Sequence, residues 1–93
     1  MKIEVNRYGI VEDYLMPRTV VAYEGAAVTR NFLDFIYGKY GPGIKEQIMH
    51  NEQIREGVII LLNGRNIKSH PDGLDAHIKD GDVITIGILA YGG

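Results

Sequence analysis

The sequence predicts an α+β domain in which one main helix packs across a mixed β-sheet. Residues 2–6 alternate polar and apolar side chains, which is the period of a half-buried strand. Apolar residues between positions 28 and 40 recur every three or four residues, as they do on one face of an amphipathic helix. Two later apolar runs, 58–62 and 83–86, have the length and the branched side chains of strands. This order predicts that strands come both before and after a single helix along the chain.

The first half of the chain contains two predicted strands and then the helix. Residues 18–23 are rich in β-branched and aromatic side chains and form the second strand, after a long connection over residues 10–17. The helix should begin near position 28, where Ala26 and Ala27 offer no side-chain cap unless Thr29 caps a helix that starts one turn later. It should end at Gly41, because the Gly-Pro-Gly sequence there cannot continue a helix. Its core-facing stripe is predicted to be Val28, Phe32, Phe35, Ile36 and Tyr40.

The second half contains a weaker helical turn and the remaining strands. The helical turn is predicted over residues 44–49, and the first apolar run should end in a tight turn at Asn63-Gly64, since both residues tolerate a positive φ. Residues 79–82 should form another tight turn before the last strand. The alternating isoleucines of that strand need an apolar partner on the helix. This predicts one packed cluster: Phe32, Phe35, Ile36, Ile84 and Ile86.

One face of the predicted sheet should be partly exposed, because a single helix covers only the other face. The run 58–62 has apolar side chains of both parities. One parity should therefore remain available to a partner, either Ile59 and Leu61 or the alternate set of Val58, Ile60 and Leu62. The competing interpretation is that the connection 10–17 folds over this face.

The composition excludes several classes of function. A length of 93 residues supports one domain, 1–93, and a net charge of −2 provides no basic surplus for a nucleic acid. The absence of cysteine removes disulfides, zinc–thiolate sites and thiol nucleophiles. The sequence shows neither a leader-peptide pattern nor an apolar run long enough to span a membrane. We expect a soluble, cytoplasmic protein without nucleic-acid or membrane partners.

No grouping of side chains inside the predicted fold is typical of catalysis or metal binding. His50, His70 and His77 are isolated, and none has the spacing of a helical metal site. The aspartates between positions 72 and 82 lack the ordered pattern and closing glutamate of a calcium loop, so solvated turns explain them better. We expect no metal site and no catalytic side chain within the fold.

The last two residues, Gly92 and Gly93, allow two interpretations. Taken alone, they are most simply a fraying end. The functional interpretation is that a segment without side chains can enter a channel too narrow for a Cβ and present the carboxylate of Gly93 to an enzyme. We expect residues 88–93 to lack stable contacts in the free protein, because the glycines make this segment costly to order.

Several short motifs follow one another along the C-terminal third. They are an apolar strand with NGRNI over residues 60–67, then Leu74, then KDGD with a second apolar strand over residues 79–86, and finally the terminal glycines. In this order they resemble the ubiquitin-like sulfur-carrier family, which includes the small subunit of molybdopterin synthase, the thiamine-biosynthesis sulfur carrier and the small archaeal ubiquitin-like modifiers. The helix ending in residues 39–42 also fits. The resemblance implies a ubiquitin-like β-grasp fold with a flexible C-terminal tail, 88–93.

The resemblance also implies the chemistry. The working group would be the carboxylate of Gly93, with Gly92 beside it. A ubiquitin-activating-type adenylyltransferase would join this carboxylate to AMP, and a sulfur donor would convert it to a thiocarboxylate. A sulfur-acceptor synthase subunit would then use that sulfur in cofactor biosynthesis. ATP and magnesium belong to the activating enzyme, so the chain would be a carrier and not an enzyme, with no cofactor of its own.

Partner contacts are expected at Ile59 and Leu61 on the sheet, and at Leu89 and Tyr91 before the terminal glycines. Many molybdopterin-type members carry Phe-Pro-Pro in that last position, whereas this chain has GILAY over residues 87–91. The pathway, molybdopterin-type or thiamine-type, therefore stays open. Two alternatives also stay open: a protein modifier joined through Gly93 to lysines, and a β-grasp interaction module without a carrier role.

Overall fold

A computed structural model describes residues 1–89 of the chain. Two 3-10 turns, Ile67–Ser69 and Gly73–Asp75, precede the last strand. In chain order the strands and α-helices are β1 (Lys2–Tyr8), β2 (Arg18–Ala22), α1 (Thr29–Tyr40), α2 (Gly43–Ile48), β3 (Met49–His50), β4 (Gln53–Ile54), β5 (Val58–Leu62), β6 (Arg65–Asn66) and β7 (Val83–Ile88).

The main sheet has five strands in the order β2-β1-β7-β5-β6. The first and last strands, β1 and β7, run parallel at its centre, whereas the other neighbouring pairs are antiparallel. Long-range parallel pairing needs a crossover, and the chain between β2 and β5 supplies it by carrying α1 over one face of the sheet. The predicted α+β architecture, a mixed sheet with one main helix, is confirmed.

Helix α1 is held at its start by a distant segment and not by a local cap. Val28 occupies the cap position without a side-chain hydrogen bond. The amide and the hydroxyl of Thr29 both donate to the carbonyl oxygen of Ala76, each at 2.9 Å. The helix therefore begins at Thr29 and not one turn later, and Thr29 does not cap it. The predicted end is confirmed, since the N–H of Gly41 donates to the carbonyl of Tyr37 and Gly41 has a φ of 147°.

The anchored Thr29 also determines which face of α1 is buried. Residues three, four, seven and eight positions after an inward residue share its face of a helix. The buried residues of α1 follow this rule, whereas Phe35 lies outside the stripe and is 37% exposed. The prediction that Phe35 is a core residue is wrong, but Phe32, Ile36, Ile84 and Ile86 are fully buried as predicted. The inward set is Thr29, Phe32, Leu33, Ile36 and Tyr37.

A short hairpin, β3 with β4, follows α2 and was not apparent from residue patterns. Its turn contains Asn51 and Glu52 with φ values of 50° and 63°. A type I′ hairpin turn needs positive φ at both central positions, and asparagine is among the residues that adopt it most easily. Asn51 was the available signal, but each strand has only two residues, which is too short to show an alternating pattern.

The two predicted tight turns are joined by one aspartate. Asn63 and Gly64 have φ values of 52° and 84°, as a two-residue hairpin turn requires. The buried carboxylate of Asp82 accepts a hydrogen bond from the side-chain amide of Asn63 at 3.0 Å and another from the backbone N–H of Lys79 at 2.9 Å. Asp82 therefore ties the β5–β6 turn to the turn that begins β7.

We expect Asp82→Ala to lower the free energy of unfolding by about 1–3 kcal/mol, because it leaves the part-buried donors of Asn63 and Lys79 without their acceptor. Urea denaturation at neutral pH measures this loss. The matched control is Asp72→Ala, since Asp72 is exposed and its carboxylate makes no hydrogen bond within residues 1–89. The control should stay within about 0.5 kcal/mol of the unsubstituted chain. Equal stabilities of the two variants would contradict the role given to Asp82.

Candidate functional site

The structure describes three of the residues predicted to act in the function. Ile59 and Leu61 lie on β5, and Leu89 follows β7. Tyr91, Gly92 and Gly93 lie outside the described residues. The candidate site on the described part of the chain is therefore the place where β7 ends and the segment toward Gly93 begins.

The end of β7 is attached to β5 for longer than predicted. Ile88 is paired with Val58, and the N–H of Leu89 donates to the carbonyl oxygen of Gly57 at 2.7 Å. The expectation that stable contacts end before residue 88 is wrong for Ile88 and Leu89. The physical reason lies in Gly57, whose φ of 85° turns the backbone just before β5 and leaves its carbonyl facing the neighbouring strand.

Gly9 supports this attachment from the other side of β7. A Cβ on Gly9 would lie 3.1 Å from Cγ1 of Ile88, and the φ of Gly9 is 72°. A larger residue would therefore be strained in its backbone and would press on Ile88. The glycine lets the chain after β1 pass close beside the last residue of β7.

The exposed parity on β5 is that of Ile59 and Leu61. Both residues are half-buried, whereas the alternate residues of β5 are buried on the helix side. The connection 10–17 does not cover the exposed face. Val11 is buried in the core and its N–H donates to the side chain of Gln47 in α2, which places the connection on the helix side. The prediction of a partly exposed apolar face is confirmed.

An apolar surface surrounds the point where the chain leaves β7. We name it the tail-root surface and define it by Tyr8, Ile59, Leu61, Gly87 and Leu89. Gly87 is paired with Tyr8 on one side and with Ile59 on the other. A Cβ on Gly87 would lie 3.5 Å from Cγ2 of Ile59 and 3.6 Å from Cβ of Tyr8. Tyr8 is 64% exposed and Leu89 is 53% exposed, whereas Gly87 between Tyr8 and Ile59 is buried.

An ion pair on this face of the sheet joins the first two strands of the chain. Arg18 on β2 forms an ion pair of 2.8 Å with Glu4 on β1. A hydrogen bond from Asn6, together with Arg18, lowers the pKa of the Glu4 carboxyl below its usual range. Glu4 is therefore ionised and paired at neutral pH. The tail-root surface itself contains only uncharged side chains.

The metal-binding types of side chain are dispersed over the described part of the chain. Up to Leu89, histidine, aspartate and glutamate side chains do not gather in groups of three that could hold an ion. A shallow cavity of about 110 Å³ lies beside α1 and includes Tyr37. Burial, reinforced by the charge of Asp34, raises the pKa of Tyr37, so its phenol stays protonated and is not a base.

No helix within residues 1–89 is long and apolar enough to cross a membrane.

Comparison with known proteins identifies the fold. No protein-family model and no curated protein matches the sequence. Among solved structures, the complex of BexX and CysO from Amycolatopsis orientalis contains a chain with 24% identity and a TM-score of 0.78, covering 98% of this chain and 99% of that one. Small archaeal modifier protein 1 from Methanosarcina acetivorans has 24% identity and a TM-score of 0.77, covering 99% and 96%.

A third similar structure is the complex of subunits 1 and 2 of molybdopterin-converting factor from Helicobacter pylori. The matching chain has 24% identity and a TM-score of 0.63, with 100% of both chains covered. Likeness at this level of identity establishes the fold. The predicted ubiquitin-like β-grasp fold is therefore confirmed, and it extends over the whole of the described sheet and helix.

Proposed function

We propose that this chain is a sulfur carrier that works through the carboxylate of Gly93. The observation that carries the proposal is the tail-root surface. Strand β7 ends beside exposed, uncharged apolar side chains, and the sequence continues from there to Gly92 and Gly93. An exposed apolar surface of this kind is typical of a protein-binding site. A partner bound there would receive the glycine-ended segment directly.

Two of the similar structures support a protein partner. CysO was solved with BexX, and subunit 1 of molybdopterin-converting factor was solved with subunit 2. These chains share the fold described above. We infer that this chain likewise acts with partner proteins, namely a ubiquitin-activating-type adenylyltransferase and a sulfur-acceptor synthase subunit.

The proposed chemistry needs activation because a free carboxylate is a poor electrophile. An oxygen of the Gly93 carboxylate attacks the α-phosphorus of ATP and displaces pyrophosphate, which leaves a mixed anhydride with AMP. Hydrosulfide released by the sulfur donor then attacks the carbonyl carbon and AMP leaves, and loss of the sulfur-bound proton gives the thiocarboxylate. ATP and magnesium are bound by the activating enzyme, and this chain serves as its substrate.

Intact-mass measurement tests the proposal. The chain is incubated with the activating enzyme of its own organism, ATP, magnesium and a sulfur donor. We expect the mass to increase by the difference between one sulfur and one oxygen atom, and fragmentation should place the change on Gly93. An unchanged mass, under conditions in which the enzyme consumes ATP with the chain present, would contradict the carrier role.

The tail-root surface should contribute to recognition by the activating enzyme. We expect Leu61→Asp to reduce kcat/KM for adenylation about tenfold or more, because a charge replaces an apolar contact worth about 1.4 kcal/mol. Steady-state pyrophosphate exchange measures this change. The control is Ala22→Asp, which places the same charge at an exposed position on β2 of the same sheet. Equal losses in both variants, or none in either, would mean that the surface is not the contact.

A second function, protein modification through Gly93, is favoured by one comparison. The similar structure from Methanosarcina acetivorans is a small archaeal modifier protein. Both functions share the adenylation step and differ in whether sulfur or a lysine amine attacks next. A ladder of larger species in cell extract, detected with an antibody to this chain and lost when Gly93 is deleted, would assign the modifier function.

A further inference from the structure

Within residues 1–89, strand β2 lies at the edge of the sheet and is paired with β1 alone. The hydrogen bonds that flank this pair show which of its residues face β1. The N–H of Arg7 donates to the carbonyl of Pro17 at 3.0 Å, and the N–H of Tyr23 donates to the carbonyl of Met1 at 2.8 Å. Antiparallel hydrogen bonding alternates along a strand, so the odd-numbered residues from 17 to 23 direct their backbone groups toward β1.

The even-numbered residues of β2 therefore direct their N–H and C=O groups away from the sheet. These residues are Arg18, Val20 and Ala22. Within residues 1–89, their outward N–H and C=O groups make no hydrogen bond. A row of unpaired backbone groups at a sheet edge can accept another strand.

The side chains of β2 do not protect the edge. Natural edge strands are often protected by charged side chains that make an added strand unfavourable. The charged residue of β2 is Arg18, and its guanidinium group extends along the sheet face to Glu4 at 2.8 Å. Val20, at the middle of the strand, is 57% exposed. The edge thus presents the apolar side chain of Val20 at its centre, and the positive charge of Arg18 is neutralised by Glu4.

We propose that β2 pairs with β2 of a second copy of this chain, antiparallel and centred on Val20. In this register Val20 faces Val20 of the second copy, and Arg18 faces Ala22. All of these residues direct their backbone groups outward, so each facing pair can exchange two hydrogen bonds. A register shifted by one residue would bring outward groups against inward ones. A shift by two residues would leave one of the three outward residues of β2 without a facing β2 residue, so the centred register pairs the most backbone groups.

The charges at the two ends of β2 agree with antiparallel self-pairing. Arg18 lies at the start of the strand, and the exposed Glu24 lies just beyond its end. In the centred register Arg18 of one copy and Glu24 of the other lie diagonally across the pair on the same face. Long side chains interact over this diagonal separation of about 7–8 Å. A parallel arrangement would place like charges together.

The pairing should be weak and should not interfere with the tail-root surface. One strand pair buries less than the roughly 1,200–2,000 Å² of stable protein interfaces, so association in the micromolar to millimolar range is expected. Strand β1 separates β2 from β7, and the tail-root residues other than Tyr8, which ends β1, lie on β5 and on or just after β7. Both copies could therefore still present their segments toward Gly93. The inference does not depend on the proposed carrier function.

Amide hydrogen exchange followed by NMR tests the proposal residue by residue. Exchange is measured at micromolar and at millimolar concentrations of the chain, and the mass is followed by sedimentation. We expect the amides of Arg18, Val20 and Ala22 to become about tenfold or more protected at high concentration. The amides of Thr19 and Val21, already bonded to β1, should not change. The mass should rise from 10.4 kDa toward twice that value.

The variant Val20→Pro removes the central outward N–H, and proline is tolerated on an edge strand where that N–H faces solvent. This variant should remain folded and stay at 10.4 kDa at millimolar concentration. Val20→Thr is the matched control, because it keeps the branched shape and the N–H, and it should still associate. Concentration-independent exchange at Val20 with an unchanged mass would overturn the proposal. Protection that appears only on adding a strand-forming peptide would also overturn it and would assign the edge to peptides.

Discussion

Deletion of Gly93 is expected to abolish adenylation while leaving the free energy of unfolding unchanged within about 0.5 kcal/mol. The proposed chemistry takes place at the terminal carboxylate, and a shortened chain would present its carboxylate one residue too early in the partner's channel. The fold should not depend on Gly93, because β7 ends at Ile88 and the sheet is complete without the terminal residue. ATP–pyrophosphate exchange with the activating enzyme measures the loss.

Two further variants separate the position of the carboxylate from the chemistry of the last residue. Adding one residue after Gly93 should abolish exchange as the deletion does, because the carboxylate is then one residue too far along. Gly92→Ala should fold normally and react slowly, because its Cβ would meet the wall of a narrow channel. If the deletion, the extension and the unsubstituted chain exchange at equal rates, the mechanism is wrong and an interaction module without a carrier role becomes the better explanation.

The largest expected effect on stability is that of Phe32→Ala, at about 3–5 kcal/mol. Phe32 is fully buried, and its ring meets the ring of Tyr23 edge to face with 5.1 Å between centroids. Removing it leaves a cavity in the core and takes away an aromatic pair. A domain of this size has roughly 5–15 kcal/mol of stability in total, so urea denaturation should show a severe loss.

Phe35→Ala is the matched control for this substitution, because it removes the same side chain one turn further along α1. Phe35 is 37% exposed and contacts Tyr23 with 5.2 Å between ring centroids. Lys39 lies 5.8 Å from its ring centre, which is the geometry of a cation–π contact at an exposed site. We expect a loss below about 1.5 kcal/mol. Similar losses for both variants would mean that α1 is rotated from the described orientation.

Local residue patterns were sufficient for most of the fold. Alternation over residues 2–6 and the apolar run of β5 predicted strands, and the glycine at position 41 predicted where α1 ends. The turn at Asn63-Gly64 was predicted from the ability of both residues to adopt positive φ. These features depend on side chains close together in the chain, and a pattern of neighbours records them directly.

The candidate site was predictable only in part, because residue patterns record only the neighbours of each residue in the chain. Alternation showed that one parity of β5 would be exposed, but it could not show which one. That choice depends on the side of the sheet to which the chain between β2 and β5 crosses. The structure places α1 over the residues that alternate with Ile59 and Leu61, and this exposes the pair.

The rotation of α1 and the length of β7 were decided by tertiary contacts. Thr29 turns inward because Ala76, far along the chain, accepts its hydroxyl and amide, and this leaves Phe35 outside the core. Leu89 remains attached because the carbonyl of Gly57 accepts its N–H. Periodicity predicts that a helix has an apolar face. Because successive residues are rotated by only about 100°, two overlapping sets of residues can each form that face. A hydrogen bond to a distant residue then decides which set faces the core.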